Sequence, residues 1–195
     1  MTESNVLELF NKTGAYLKGH FRLTSGLHSS EYLQCALVLA HPNHAELLGA
    51  ALADKLQAIS PGQKISVVVS PAIGGLIIGH EVARALGVKS LFTERDANGK
   101  MVLRRGFRID PFDHAVVVED VITTGGSSRE VIELLQAAGA NVIAAGSVID
   151  RSGGRADLGL KRAALSTMSV ISYSEDVCPM CRQGLPVQKP GSRPS

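Results

Sequence analysis

The sequence predicts an α/β protein with a doubly wound, mostly parallel sheet and a small N-terminal hood beside it. A strand, a loop and a helix follow one another twice, over residues 65–86 and over residues 115–138. A third apolar run, residues 141–149, ends in the polar pair Asp150-Arg151. Because open sheets of this kind present ligands at the carboxyl ends of their strands, we expect the functional residues in the loops that follow the strands.

Length and composition set the broad class. A chain of 195 residues is long enough for one α/β domain with an appendage, and too short for two comfortable domains. We place the N-terminal helix and hood at residues 1–40, the ligand-binding core at residues 41–175 and a C-terminal tail at residues 176–195. Apolar residues make up 45% of the chain and charged residues 19%, as in globular proteins, and the net charge of +2 argues against broad binding of nucleic acid.

The hydropathy pattern also bears on location. No apolar run approaches the length of a membrane span, and residues 1–5 lack the basic start and apolar core of a signal peptide. We therefore expect a cytoplasmic protein that has neither a membrane nor a nucleic acid as partner.

Hydrophobic periodicity predicts the other elements in chain order. Residues 5–13 form an amphipathic pattern that stops at Gly14, which indicates a short helix. Residues 15–36 mix glycines, hydroxyl side chains and alternating apolar residues, which favours short strands and turns that form a lid outside the core. The elements predicted next are a helix at 43–59, a strand at 65–69, a loop at 70–75, a helix at 76–86, a strand at 90–94, a helix at 129–138 and an edge strand within 163–172.

A cluster of cations surrounds an Asn-Gly turn in residues 94–106. Arg95, Lys100, Arg104 and Arg105 lie on either side of the turn, which is typical of a hairpin whose tip can move. One interpretation is a solvated charge cluster without a role. We favour a functional one, because a mobile cationic loop can close on a concentrated anion and expel water from it.

The most informative stretch is residues 115–128. Its apolar residues 115–118 predict a buried strand, which is followed by the carboxylates Glu119 and Asp120 and by a Thr-Thr-Gly-Gly turn at residues 123–126. Ser127 and Ser128 offer N-caps to a helix that begins near Arg129. A Gly-rich loop that opens a helix suits a phosphate, since the first helical N–H groups lack internal partners.

An acidic pair beside a phosphate is repulsive unless something lies between them. A ribose ring with its vicinal hydroxyls and a magnesium ion fits that gap, so the expected ligand is a ribose 5-phosphate. The loop has neither the Gly-Lys-Ser/Thr of nucleoside triphosphatases nor the G-x-G-x-x-G spacing of dinucleotide folds. An ordinary strand-turn-helix with a chance acidic pair is the alternative.

The run VVVEDVITTGGS, residues 116–127, resembles the phosphoribosyl-pyrophosphate (PRPP) signature of the type I phosphoribosyltransferases. The resemblance implies the doubly wound fold of that kind and a bound Mg²⁺ held mainly by PRPP, with no direct protein ligand expected and with the two carboxylates nearby. It also implies a PRPP-binding set in this motif, namely Glu119, Asp120, Val121, Ile122, Thr123, Thr124, Gly125, Gly126 and Ser127.

A second segment narrows the resemblance. GHFRLTSG at residues 19–26, followed by Tyr32-Leu33-Gln34, resembles the hood of the orotate phosphoribosyltransferases. The resemblance implies transfer of ribose 5-phosphate from PRPP to orotate, which yields orotidine 5′-monophosphate and pyrophosphate in de novo pyrimidine (UMP) biosynthesis. Two departures are visible: many members carry a lysine where this chain has Thr24, and a Tyr-Lys pair where it has Ile73-Gly74. Lys18 or Arg22 could replace the first of these cations.

The same resemblance implies roles for individual residues. Thr123, Arg151 and Tyr32 are expected to bind orotate, although Arg151 could instead pair with Asp150, and Tyr32 could be a plain core aromatic. The expected catalytic residues are Lys100, Asp120 and Glu119.

The resemblance also implies a role for the hairpin at residues 94–106. Arg95, Lys100 and Arg104 are expected at the pyrophosphate of PRPP. The 94–106 loop is expected to reach the active site of the neighbouring subunit, which implies a homodimer. Two other functions stay open, which are transfer to a purine base and a non-catalytic regulator that senses PRPP or nucleotides on the same fold.

The C-x-x-C pair Cys178 and Cys181 stands outside this scheme. Three cysteines do not make a disulfide framework, and the Pro-containing tail is not a thioredoxin-like setting. The pair could be half of a tetrahedral zinc site, but only Cys35 and six scattered histidines remain to complete it. The alternative is a structural or incidental role.

Overall fold

A computed structural model describes residues 1–23 and 25–190. Within these residues, no helix is both long enough and apolar enough to cross a membrane. The helices and strands, in chain order, are α1 Glu3–Lys12, β1 Tyr16–Arg22, β2 His28–Leu33, α2 Cys35–Leu39, α3 Pro42–Ile59, β3 Val67–Pro71, α4 Gly75–Leu86, β4 Lys89–Arg95, β5 Met101–Leu103, β6 His114–Ile122, α5 Gly126–Ala137, β7 Asn141–Asp150, β8 Lys161–Thr167, β9 Ser172–Tyr173, a 3-10 turn Glu175–Val177 and α6 Pro179–Arg182.

The central sheet has six strands in the order β5-β4-β3-β6-β7-β8. All neighbouring pairs are parallel except β4 and β5, which form an antiparallel hairpin at one edge. The order reverses direction between β3 and β6, which is the position where open sheets of this class form their ligand crevice. The predicted doubly wound, mostly parallel architecture is therefore confirmed.

Helices cover both faces of this sheet. Val116 and Val118 of β6 pack into a core that also holds apolar side chains of α1, α2, α3 and α4. Ala115 and Val117 point to the other face, where they pack with Val131 and its neighbours on α5. Because successive strand residues alternate in direction and both faces are covered, β6 must be apolar at every position of its buried part.

A second sheet, β1-β2-β9, forms the hood. Its first two strands come from the N-terminal segment, and the third comes from residues 172 and 173. Residues near the C-terminus add to it, since Arg22 N donates to Gln188 O and Gln188 N donates to His20 O, both at 2.8 Å. The C-terminal tail therefore packs against the hood.

One predicted element has different bounds in the structure, and one observed helix was not predicted. The edge strand expected within 163–172 is present as β8, which begins at Lys161 and ends at Thr167, and residue 172 belongs to the separate short strand β9 of the hood sheet. Cys35–Leu39 forms a helix that the pattern did not indicate, because five residues are too few for a helical period to appear. Thr24, the position of one expected lysine, lies outside the described residues.

Candidate functional site

The acidic pair lies inside the last part of β6. Glu119 is in register with Ser147 of β7, and the strand continues to Ile122, opposite Asp150. Both carboxylates are half-buried, whereas residues 115–118 before them are fully buried. The strand thus carries the pair to the carboxyl edge of the sheet, next to the point where the strand order reverses.

Helix α5 begins earlier than predicted and is capped differently. Its N-cap is Gly125, which has φ 77° and makes no side-chain cap. The expectation that Ser127 or Ser128 caps a helix near Arg129 is wrong, because Ser128 is already inside the first turn and its Oγ donates to Glu119 Oε2 at 2.6 Å. This hydrogen bond fixes one oxygen of Glu119 against the helix.

The loop between β6 and α5 has the shape of an anion site. The first helical hydrogen bond is donated by Arg129 N to Gly125 O at 2.9 Å. The amides of Gly126, Ser127 and Ser128 therefore precede the internal hydrogen bonding of the helix, and its dipole favours a negative charge at this end. Thr123 and Thr124 are exposed beside them.

The carboxyl of Asp120 has a perturbed pKa. Burial raises its pKa, and the hydrogen bond donated by Val121 N to Oδ1, at 2.9 Å, opposes the rise only in part. No basic side chain pairs with Asp120 among the described residues. A half-buried carboxylate without a cation is costly, which is typical of a position retained for binding or catalysis.

The turn after β3 lies directly against Asp120. A Cβ built on Gly74 would be 2.5 Å from Asp120 Oδ1, and one built on Gly75 would be 2.9 Å from Val118 O. Glycine is therefore required at both positions for the two loops to approach this closely. Ile73, which precedes them, is 79% exposed, and a cis peptide bond joins it to Ala72.

Arg151 and Tyr32 lie beside the acidic pair. Arg151 N donates to Ile122 O at 2.8 Å, which ties the residue after β7 to the end of β6. Burial lowers the pKa of Arg151, and the Tyr32 hydroxyl opposes that change. Burial raises the pKa of Tyr32, with Arg151 lowering and Asp120 raising it, so the three side chains share one electrostatic environment.

Asp150 does not pair with its neighbour. Its Oδ2 accepts from Arg162 Nη1, while its Oδ1 accepts from Ser152 N at 2.8 Å and from Ser152 Oγ at 2.6 Å. The alternative of an Asp150–Arg151 pair is therefore wrong. Arg151 makes no salt bridge within the described residues, which leaves its guanidinium available to an anion.

The predicted hairpin is present as β4 and β5. Asp96 organises its turn, because its Oδ1 accepts from the backbone N–H groups of Asn98 and Lys100, each at 2.9 Å. Arg95 makes a bidentate ion pair with Glu130 on α5, at 2.8 and 3.0 Å. This pair brings the hairpin to the first turns of the helix that follows the motif.

Within the described residues, the other cations of the hairpin do not contact the acidic motif. Arg105 pairs with Glu94 through two hydrogen bonds, at 2.7 and 2.8 Å. Lys100 and Arg104 are exposed, and neither contacts the motif through a hydrogen bond or ion pair in the part of the chain that the structure describes. The structure thus brings the motif, Tyr32 and Arg151 together, and leaves Lys100 and Arg104 exposed on the hairpin.

Two residues that hold side chains of the candidate site were not predicted from the sequence. Ser128 was assigned to capping and instead holds Glu119, and Glu130 was not assigned although it holds Arg95. The positions of Ser128 and Glu130, two residues apart in the first turns of a helix, indicate these contacts only weakly. Their partners, Glu119 and Arg95, lie on strands whose distance from the helix depends on the tertiary fold.

Comparison with known proteins decides the family. Residues 36–162 match the family model described as "Phosphoribosyl transferase domain". Over 193 residues the chain is 55% identical to a protein of Pelotomaculum thermopropionicum named "Orotate phosphoribosyltransferase", with 99% of each chain covered. A protein of the same name from Desulforamulus reducens is 52% identical, with 99% of this chain and 98% of that protein covered. The chain belongs to the orotate phosphoribosyltransferase family.

The fold agrees with this family. The crystal structure of orotate phosphoribosyltransferase from Aeropyrum pernix superimposes with a TM-score of 0.68 at 28% identity, covering 83% of this chain and 93% of that one. Membership of the orotate phosphoribosyltransferase family confirms the predicted fold class. It also confirms the predicted enzyme class, which is that of the pentosyltransferases. The curated relatives extend over the hood and the tail, which lie outside residues 36–162.

Proposed function

We propose that this chain transfers the ribose 5-phosphate of PRPP to orotate, which gives orotidine 5′-monophosphate and pyrophosphate in the synthesis of UMP. The observation that carries the proposal is the unpaired, half-buried Asp120 beside Glu119, between an anion-binding loop and the Arg151–Tyr32 pair. The full-length similarity to proteins named orotate phosphoribosyltransferase supports the choice of base.

The 5-phosphate of PRPP binds at the start of α5. Backbone N–H groups of residues 125–127 and the hydroxyls of Thr123 and Thr124 donate to its oxygens. The positive φ of Gly125 turns the chain so that these amides face one point. Val121 and Ile122 position this loop through the β6–β7 ladder rather than through polar contacts of their side chains.

Glu119 and Asp120 accept hydrogen bonds from the ribose hydroxyls. Ser128 Oγ donates to Glu119 and Val121 N donates to Asp120, so both carboxylates are held in a defined orientation toward the sugar. Their negative charge also favours the positive charge that develops on the ribose ring. The raised pKa of Asp120 reflects burial that a bound cationic transition state would offset.

The donor set fits Mg²⁺. Carboxylate oxygens are hard ligands of the kind this ion prefers, but two of them, each already hydrogen-bonded, do not complete an octahedron. Diphosphate and hydroxyl oxygens of PRPP and water must therefore supply most of the coordination. When bound, the ion neutralises charge on the departing pyrophosphate.

The hairpin cations act on the leaving group. Arg95, Lys100 and Arg104 lie on a short two-stranded segment at the sheet edge, and their charges complement pyrophosphate. Closure requires Arg95 to exchange Glu130 for a pyrophosphate oxygen. We assign the 94–106 loop of one subunit to the site of its partner in a homodimer, and Lys100 to the catalytic cation.

Orotate is held by Arg151, Tyr32 and Thr123. A guanidinium binds a carboxylate through two parallel hydrogen bonds, and Arg151 is half-buried without a competing acid among the described residues. Tyr32 supplies an aromatic face for the pyrimidine ring, supported from behind by Phe21, whose ring centre is 5.8 Å away.

The chemical step needs little covalent help from the protein. The C1–O bond of PRPP breaks and its electron pair leaves with pyrophosphate, while a ring nitrogen of orotate gives up its proton and forms the new C1–N bond from the opposite face. Residues of this chain align the two substrates, exclude water and match the changing charges. We place the reaction in the cytoplasm.

A spectrophotometric assay of orotate consumption with PRPP and MgCl₂ tests the proposal. Purified protein is expected to convert orotate, and adenine and hypoxanthine at equal concentration are expected to give no nucleotide. Product from a purine but not from orotate would move the chain to a purine-specific function, and binding of PRPP without turnover of any base would favour the regulator.

A further inference from the structure

Four metal-binding side chains meet where the hood contacts the tail. His20 lies on β1, His28 on β2, and Cys178 and Cys181 lie at the two ends of the first turn of α6. Their ligand atoms all lie within 4.8 Å of one another. His20, His28 and Cys178 are buried, with 4%, 3% and 0% of their surfaces exposed, and Cys181 is partly buried.

The distances within this cluster are close to those of a tetrahedral zinc site. His20 Nε2 is 3.6 Å from the Sγ atoms of both cysteines, and His28 Nδ1 is 3.2 Å from Cys181 Sγ. Ordinary Zn–N and Zn–S bonds in a tetrahedron put nitrogen and sulfur roughly 3.5 Å apart. The two ring nitrogens are 2.8 Å apart, so an ion would separate them by about half an ångström.

The hydrogen bonding of His20 prepares one nitrogen for a metal. His20 Nδ1 lies 2.8 Å from the backbone oxygen of Leu185. A carbonyl oxygen only accepts, so Nδ1 carries the proton and Nε2 presents its lone pair to the two sulfurs. A backbone carbonyl that fixes the tautomer of a ligand histidine is the usual outer support of a zinc site.

The tail has little else to hold it. Between residues 174 and 190, only Cys178 and Met180 are buried, in the part of the chain that the structure describes. Two buried side chains, the short ladder at Gln188 and the hydrogen bonds of His20 with Leu185 O and of Gln34 with Pro190 O are few contacts for ordering this many residues. A bound metal would contribute its binding free energy to folding.

We propose that His20, His28, Cys178 and Cys181 bind one structural Zn²⁺ that fastens the C-terminal tail to the hood. Two thiolates and two imidazoles are a donor set that selects zinc over hard cations. Four protein ligands leave no open coordination position, so the site is structural. It is separate from the acidic motif, and it stiffens the same small sheet that presents Tyr32.

Metal analysis of the full-length protein tests this directly. Protein purified from zinc-supplemented cells without added chelator is expected to contain about one zinc per chain by plasma mass spectrometry. After removal of the metal under reducing conditions, Co²⁺ alone is expected to give the intense visible bands of a tetrahedral site and a thiolate charge-transfer band. The metal-free protein is expected to melt roughly 5–10 °C lower, and added Zn²⁺ to restore the melting temperature.

Matched variants separate this site from other cysteines and histidines. Cys181→Ser and His28→Asn are expected to lose the zinc, whereas Cys35→Ser and the exposed His80→Asn are expected to retain it.

If a ligand variant fails to fold, the cobalt spectrum of the unaltered chain still shows whether the tetrahedral site exists. The proposal is overturned if that chain holds no metal and gives no such spectrum, if both ligand variants keep full zinc, or if the native protein carries a Cys178–Cys181 disulfide. Because metal content is read without substrates, its failure is distinct from failure of the transferase assignment.

Discussion

Gly74→Ala tests whether the turn after β3 sets the position of Asp120. The added Cβ would lie 2.5 Å from Asp120 Oδ1 and 2.9 Å from its Cγ and Oδ2. Real Cβ atoms essentially never come closer than 3.0 Å to a neighbour, and ordinary contact begins near 3.4 Å. The carboxylate, the turn or both must therefore move by about 1 Å in total, which is enough to misplace a group that acts by position.

This displacement is expected to lower both the catalytic efficiency and the free energy of unfolding. A misplacement of about 1 Å lowers catalytic efficiency by roughly 10²-fold, so kcat/KM for PRPP is expected to fall by about that factor in the orotate assay. Overpacking costs about 1–3 kcal/mol of unfolding free energy, which denaturant titration measures. The backbone of Gly74 is in an ordinary helical conformation, φ −55° and ψ −43°, so alanine itself causes no backbone strain.

A double-mutant cycle isolates the clash. Asp120→Ala removes the carboxylate, and Gly74→Ala added to it is then expected to cost almost nothing, or to stabilise by a few tenths of a kcal/mol. The coupling free energy is thus expected to be at least about 1 kcal/mol. Equal destabilisation by Gly74→Ala in both backgrounds would refute the reasoning, because the cost would then come from somewhere other than Asp120.

Three further predictions concern single side chains. Asp120→Asn is expected to lower kcat by roughly 10²–10³-fold. The melting temperature of this variant at pH 8 should be unchanged or higher, because burial raises the pKa of Asp120 and the folded state therefore penalises its charged form. The gain in melting temperature should vanish at a pH below the unfolded-state pKa of Asp120, where the carboxyl is protonated in both the folded and the unfolded state. Arg151→Gln is expected to raise KM for orotate by about 10–100-fold and to leave KM for PRPP unchanged, in initial-rate kinetics with each substrate varied. Lys100→Ala is expected to lower kcat by about 10²-fold with unfolding free energy within about 0.5 kcal/mol of the unaltered protein, and a normal kcat would remove Lys100 from the catalytic set.

The parts of the fold that were predictable are those with a strong local pattern. The buried run before Glu119, the turn that follows and the helix after it are specified by neighbouring residues, so the strand, the phosphate loop and the acidic pair could be placed from the sequence. The Asn-Gly hairpin was predictable for the same reason, because its turn chemistry is local.

The parts that were not predictable depend on residues far apart in the chain. Nothing in the sequence indicates that Asp150 selects Arg162 over Arg151, or that Arg95 selects Glu130. The four residues of the metal cluster are the most widely separated, since the histidines precede the cysteines by about 150 residues. The pairing of β2 with β9 and the contacts of Gln188 with β1 bring them together.

The motif and the hairpin differ in how firmly they are held, and we infer the order of binding events from that difference. The acidic pair of the motif lies on β6, whose residues 115–118 are buried on both faces of the sheet. The Arg95–Glu130 pair ties the hairpin to α5, and the Arg105–Glu94 pair links the two arms of the hairpin; both pairs are partly exposed.

Exposed pairs of this kind contribute about 0–1 kcal/mol each, so breaking them costs far less than several charge-assisted contacts to pyrophosphate contribute. If the proposed function is correct, we infer that PRPP meets a preformed ribose phosphate site and provides the driving force for the hairpin to close. In this scheme the same weak pairs re-form when pyrophosphate leaves, so the hairpin releases product without disturbing Asp120 or the sheet that positions it.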